Sequence, residues 1–333
     1  MNPDPKVLVT GATGFLGRWA VEELLAAGWN VRVLARRADH PALEAWRGRV
    51  EVALGDVLDV PALTEALWGC THTLHAAAIV SFARRKRAEM MRVNVEGTAN
   101  VVNVALETEG FRRLILVSSV AALGRSQTGQ RIDESQKWQD SPYNTDYGRS
   151  KHLAEREVFR GAVEGLEAQI ACPCLILGTG DWNHGTPRMF RTIDRGLKYT
   201  PVGRNSVVGV WDVARAVRLL LEAEPAPCRR YIVAERSMDY AELFAAIARA
   251  LGHAPPTRRV PYWLAAAGAT VLETLPMFFG DEPPLTRQSA RTTASRFEYV
   301  GDAFRRDFGF TYTPIDAVIE RTAAAYLQER VRT

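Results

Sequence analysis

Tyr147-Gly148-Arg149-Ser150-Lys151 sets a phenol and an ammonium four residues apart. In a helix that spacing puts both on one face. A nearby cation favours the phenolate, so such a tyrosine can trade a proton near neutral pH. The pair alone recurs by chance in helices. Here a glycine-rich turn, Thr10-Gly11-Ala12-Thr13-Gly14-Phe15-Leu16-Gly17, opens the same chain, and a serine pair, Ser118-Ser119, closes an apolar run between them.

The glycine-rich turn follows an apolar run, Lys6–Thr10, and precedes a helical pattern, Phe15–Ala27. Glycines at 11, 14 and 17 permit a tight turn, close approach of backbone to a pyrophosphate, and close packing of helix on strand. Thr13, Gly14, Phe15 and Leu16 lie where free N–H groups at a helix start attract phosphate. In strand–turn–helix context this is a dinucleotide cradle.

The next strand, Val31–Ala35, ends in Arg36-Arg37 instead of the acidic residue that would hold two ribose hydroxyls. A guanidinium suits a 2′-phosphate, which favours NADP and leaves NAD open. The bland alternative is that both arginines face water and Asp39 reaches the ribose. Asp56, followed by Val57, can accept from an adenine amino group or simply shape a turn. Ala76, Ala77 and Ala78 end the fourth strand with small side chains, leaving room for the middle of a cofactor or packing tightly.

The chain has 333 residues and a formal net charge of +4, with no long basic run, so a nucleic-acid partner is not expected. Cys70, Cys172, Cys174 and Cys228 form no CxxC pair, and no metal site is expected. The start, Met1 to Lys6, lacks the basic-then-apolar build of an export signal, which makes a reduced cytoplasmic setting the expectation. Residues 261–280 are largely apolar but interrupted by Glu273 and Pro276. They predict no integral span, and read as a packed helix, with peripheral contact to lipid or a greasy substrate as the alternative.

Strand signals at Val50–Leu54, Thr73–Ala77, Leu114–Ser118 and Ala168–Leu177 alternate with helical ones at Pro41–Trp46, Pro61–Leu67, Glu89–Glu107 and Tyr147–Arg160. That rhythm predicts an α/β fold with a doubly wound parallel sheet. After about Thr179 helical segments dominate, with one strand-like run at Tyr231–Val233. The expected organisation is a dinucleotide-binding Rossmann domain over 1–179, into which about 205–235 folds back, and a smaller, mostly helical substrate lobe over 180–333. The segment 124–146 is long for a loop, as lids often are.

Taken together, TGATGFLG, GDVLD, HAAA, the RVNVEGT segment, VSSV, YGRSK and VWDVARA resemble the extended short-chain dehydrogenase/reductases, the NAD-dependent epimerase/dehydratase family. The resemblance covers nearly the whole chain. It implies that Ser119 bonds the substrate oxygen and that Tyr147 is the acid/base. It also implies that Lys151 holds the nicotinamide ribose and lowers the tyrosine pKa. Asn94 would steady the helix beside the site, Pro173 would position the nicotinamide, and a homodimer would form through two long helices.

Departures narrow the activity. Ser119 is followed by Val120-Ala121-Ala122, with no carboxylate for the β-elimination of sugar-nucleotide dehydratases. Cys172 stands where sugar-nucleotide epimerases usually carry asparagine, and Asn205 where they carry a diphosphate-binding arginine, although Arg204 is adjacent. The substrate walls are expected at Val80, Phe82, Leu123, Trp182, Met189 and Tyr199, apolar or mixed, which suits a hydrophobic carbonyl compound. This pattern is similar to dihydroflavonol 4-reductases, 3β-hydroxysteroid dehydrogenases and a bacterial branch named for hopanoid-associated sugar epimerases. The expectation is an NADP-dependent reductase or alcohol dehydrogenase on a hydrophobic small molecule. A nucleotide-sugar epimerase with tightly held NAD and a non-catalytic NADP-binding redox sensor are the alternatives.

Overall fold

Seven strands line up in one sheet; the central ones are buried on both faces, while Val52 and Leu54 at one edge stay exposed. A computed structural model describes residues 5–274 and 285–332. The first four residues and the end of the apolar segment, 275–280, lie outside it. The strands are β1 (Lys6–Thr10), β2 (Asn30–Ala35), β3 (Glu51–Leu54), β4 (His72–His75), β5 (Arg113–Val117), β7 (Ala168–Pro173) and β11 (Arg230–Val233). They form one sheet in the order β3-β2-β1-β4-β5-β7-β11, with every pairing parallel.

Helices cover both faces, as parallel crossovers require. On one, α1 (Phe15–Ala26) and α8 (Val210–Glu222) bury Val21, Leu24, Val213, Val217 and Leu220. On the other, α3 (Val60–Leu67), α5 (Gly97–Glu107) and α6 (Asp146–Val163) bury Leu63, Leu67, Val101, Val102, Ala154 and Val158. A third cluster, around Phe190, Leu243, Ile247, Ile315 and Ile319, belongs to the C-terminal part.

Three local details differ from the sequence expectation. The predicted strand Ala168–Leu177 breaks into β7 and β8 (Leu175–Leu177). Pro173 has no N–H to continue a ladder, and β8 leaves for a three-stranded sheet with β10 (Arg204–Gly209) and β12 (Arg236–Asp239). Of the stretch 205–235, therefore, β11 joins the large sheet and β10 does not. The predicted helix Glu89–Glu107 carries a π-turn at Arg92–Glu96, centred on Asn94. The long segment 124–146 is fastened: β6 (Gln130–Ile132) pairs with Phe297–Tyr299, and Trp138 stacks on His152 with ring centroids 4.6 Å apart.

The apolar segment forms α10 (Tyr262–Thr274), which exposes Trp263 and Leu264. No described helix is long and apolar enough to cross a membrane.

Candidate active site

The C-terminal ends of β1, β4, β5 and β7 converge, which is where open parallel sheets gather ligand-binding residues. At β1, Gly11 has φ +68°, and a Cβ there would lie 2.6 Å from the Ala76 carbonyl. Only glycine lets the turn press against the end of β4. A Cβ on Gly17 would lie 2.1 Å from the Gly11 oxygen, so α1 sits directly on its own turn. The result is a backbone concavity at a helix start, which fits a pyrophosphate. At the foot of this region Thr10 Oγ1 meets His75 Nδ1 at 2.7 Å, His75 Nε2 meets Thr98 Oγ1 at 3.0 Å, and the Ala77 N–H donates to Thr10.

At β2 the two arginines part ways. Arg37 forks onto Asp39 at the exposed surface, Nε to Oδ1 at 2.9 Å and Nη2 to Oδ2 at 2.7 Å. Arg36 is exposed and makes no such pair. Asp56 accepts from the Leu58 N–H at 2.9 Å, and the Val57 carbonyl accepts from Asn100. Asn94 is buried. Its oxygen accepts from Ile79 N–H, and its amide donates to Ile79 O and, at 2.9 Å, to Ser150 Oγ. That ties α6 to the chain leaving β4, and the π-turn is what turns the amide inward.

Tyr147 and Lys151 occupy the first turns of α6. Thr145 caps it, its Oγ1 accepting from the Gly148 N–H at 2.9 Å. A Cβ on Gly148 would lie 2.7 Å from the Ala121 carbonyl. Glycine thus lets the tyrosine turn close on the short helix Val120–Leu123, which Ser119 caps by accepting from Ala121 N–H at 3.2 Å. Burial pushes the Tyr147 phenol up to about 12, and the nearby Ser119 hydroxyl draws it partly back.

Lys151 is buried, and its ammonium donates to the Val117 carbonyl at 2.6 Å. Burial pulls it down to about 8. Desolvation is the largest influence on the Tyr147 ring, ahead of Ser119 and Cys172, and the phenol holds its proton at neutral pH.

The expected wall residues scatter. Phe82 meets the Tyr147 ring edge-on, with centroids 6.4 Å apart. Val80 is exposed, while Leu123 is fully buried in the core beneath α6. Trp182 packs on Phe190 and Tyr326 and bonds Glu329, Met189 leans on that cluster, and Tyr199 is exposed beside Arg258. An apolar side chain fills a core as readily as it lines a pocket, and composition cannot separate the two. A cavity of about 360 Å³ opens beside the α6 cap instead, and its lining is polar: Arg84, Asn144, Thr145, Gln288 and Arg291 take part. Pro173 ends β7 opposite Val233. Among the described residues no cluster of His, Cys, Asp or Glu could hold a metal ion.

Sequence reasoning missed Glu155, which is buried one further turn along the Tyr147–Lys151 face. Its spacing of eight from Tyr147 was the available signal. Ser118, the first of the serine pair that closes the apolar run, donates to it at 2.5 Å.

This arrangement, a glycine cradle and a Ser–Tyr–Lys set at the carboxyl rim of a seven-stranded parallel sheet, is that of a nicotinamide-dependent α/β enzyme. The profile of the NAD dependent epimerase/dehydratase family matches residues 7–234, and the chain belongs to that family. It is 32% identical to the sterol demethylase protein B of Methylococcus capsulatus, over 97% of this chain and 98% of the relative. It is likewise 32% identical to a cinnamoyl-CoA reductase 1 of Oryza sativa subsp. japonica, over 76% of this chain and 78% of that one. A dihydroflavonol 4-reductase of Zea mays matches at 28% over 52% of this chain and 53% of its own. Among solved structures, gox2253 superposes with a TM-score of 0.82 at 29% identity, covering 98% of each chain. The chain is an enzyme of the extended short-chain dehydrogenase/reductase group.

Proposed function

We propose that this enzyme interconverts a ketone or aldehyde and an alcohol on a hydrophobic small molecule, with NADP as the preferred dinucleotide. The observation that carries the reading is that Tyr147 and Lys151 lie one turn apart on α6, whose first turn closes at Gly148 on the short helix that Ser119 caps. A bound nicotinamide supplies or accepts the hydride. Gly11 to Gly17 would cradle the pyrophosphate, Arg36 would meet a 2′-phosphate, and Lys151 would hold the nicotinamide ribose.

In the reducing direction Tyr147 gives its phenolic proton to the substrate oxygen while Ser119 donates a hydrogen bond to that oxygen. A phenol raised to about 12 is protonated at neutral pH, the form that reduction needs. Two relatives named as reductases, of cinnamoyl-CoA and of a dihydroflavonol, support the same direction. Arg204, the candidate substitute anchor of the nucleotide-sugar reading, bonds Asp239 at 3.1 Å and the Ser237 carbonyl at 3.0 Å, which favours the reductase reading.

The test is Tyr147→Phe. Stopped-flow NADPH oxidation with dihydroquercetin and cinnamaldehyde as probes should fall at least ~10²-fold, with NADPH affinity kept within about twofold. Turnover at the wild-type rate would remove Tyr147 from the chemistry.

The proposal extends to location and partners. The free thiols suit a cytoplasmic enzyme. Exposed Trp263 and Leu264 beside exposed Arg258 and Arg259 suit peripheral contact of α10 with an anionic bilayer. Co-sedimentation with phosphatidylglycerol vesicles, abolished in Trp263→Glu, is the matching assay.

A further inference from the structure

We propose that Glu155 is a positioning residue of this site, pinning the Ser118–Ser119 corner and supplying the buried counter-charge that keeps Lys151 a cation. This rests on reading Tyr147 and Lys151 as the working pair.

Tyr147, Lys151 and Glu155 follow one another at intervals of four, so one face of α6 carries all three. Glu155 is 1% exposed. A carboxyl group without water is tolerated only where polar partners meet it. Oε1 accepts from Ser118 Oγ at 2.5 Å and from Cys172 Sγ at 3.3 Å. Oε2 stands 3.4 Å from Arg230 Nη1, yet neither of those two atoms has a hydrogen-bond partner. The carboxylate is thus anchored on the serine at the end of β5 and on β7, while its other oxygen faces charge without a bond.

Two consequences meet at the site. The bond to Ser118 fixes the residue before Ser119, whose backbone is extended (φ −161°, ψ 151°) and whose hydroxyl caps Val120–Leu123. Burial pushes the Glu155 carboxyl up, and Arg230, then Ser118 and Cys172, draw it back toward the charged form, which lies one turn from Lys151. Burial drives the lysine toward its neutral form, and Glu155 is the leading influence in the opposite direction, ahead of Cys172. His75 also feels Lys151, and Cys228 feels Glu155, so the surroundings of the pair are Ser118, Cys172, Arg230, Cys228 and His75.

The experiment needs neither substrate nor turnover. The chain has few lysines, Lys6, Lys86, Lys137, Lys151 and Lys198. Selective ¹³Cε-lysine labelling of the full-length protein therefore gives separable signals, and Lys151→Met identifies the one in question. In wild type it should titrate near pH 8. In Glu155→Gln the midpoint should fall by about one unit or more, a tenfold loss of proton affinity. Ser118→Ala, milder on folding, weakens the carboxylate's anchor and should shift it the same way by less. If Glu155→Gln folds and leaves the midpoint where it was, the proposal is wrong. If that variant does not fold, an unmoved midpoint in Ser118→Ala overturns it equally. A shifted midpoint alongside a fully active Tyr147→Phe would sink the functional reading and leave this one standing.

Discussion

The Lys151 ammonium donates to the Val117 carbonyl at 2.6 Å, from inside the protein. A cation so placed costs stability as long as it stays charged. Its folded pKa is depressed to about 8 from 10.5, so between those values the unfolded chain binds more protons than the native one. Stability attributable to this group therefore rises with pH from 8 toward 10.5, by about 3 kcal/mol in all. Tyr147 works in the opposite sense above its unfolded value of 10, and the buried thiols of Cys172, Cys174 and Cys228 do so above theirs of 9. The lysine is therefore read as a difference: between pH 8 and pH 10 the stability change in urea unfolding should be about 2 kcal/mol more favourable for wild type than for Lys151→Met. Equal slopes for the two proteins would contradict the assignment.

Gly148 sets how near the phenol comes to Ser119. A Cβ at this position would meet the Ala121 carbonyl at 2.7 Å, and backbone cannot swing aside as a long side chain can. Gly148→Ala should cost about 1–3 kcal/mol of stability. A displacement of roughly 1 Å between reacting groups is worth on the order of 10²-fold in rate. Steady-state kinetics should show kcat reduced on that scale while dinucleotide affinity, measured by tryptophan quenching, stays put. An unchanged kcat would mean that the first turn of α6 is free to move.

Dinucleotide choice should rest on Arg36 alone. Arg37 is already forked onto Asp39, which Arg37 must leave to reach a phosphate, while Arg36 makes no such pair. A charge-assisted bond from Arg36 to a 2′-phosphate is worth about 1.5–3 kcal/mol. Arg36→Ala should weaken NADPH binding roughly 10- to 100-fold and leave NADH binding alone. Arg37→Ala should do neither, and a large NADPH loss in that variant would reverse the roles of the two arginines.

Much of this was readable in the residues. The β1–turn–α1 unit, the alternation through β5, and the Tyr147–Lys151 face follow from glycine placement and period, both local properties. What escaped is non-local. Pro173 splits one apolar run between two sheets, and which sheet claims Leu175–Leu177 depends on Val207–Gly209, far along the chain. The role of Glu155 depends on Ser118 and Cys172 arriving from two strands. Two of the expected wall residues lie elsewhere for the converse reason: Leu123 and Trp182 have the right chemistry, but packing assigned them to cores.

His75 offers an acid-side test of the same region. It is wholly buried between Thr10 and Thr98, and burial, helped by Lys151, holds its pKa at about 3 against an ordinary 6.5. In that window the unfolded chain takes up a proton that the native protein refuses, so stability falls as pH drops below 6.5. Between pH 6.5 and 5 the loss from this residue is about 2 kcal/mol. His72, also buried and lowered to about 4, contributes in the same direction over that interval. His75→Leu leaves the Thr10 and Thr98 hydroxyls unpaired and should be less stable than wild type at pH 7. Its stability should nonetheless depend less steeply on pH, and denaturant midpoints at pH 7, 6 and 5 measure that slope directly. A variant as acid-sensitive as wild type would show that His75 takes up its proton without unfolding, and that the Thr10–His75–Thr98 chain does not hold the end of β1 against β4.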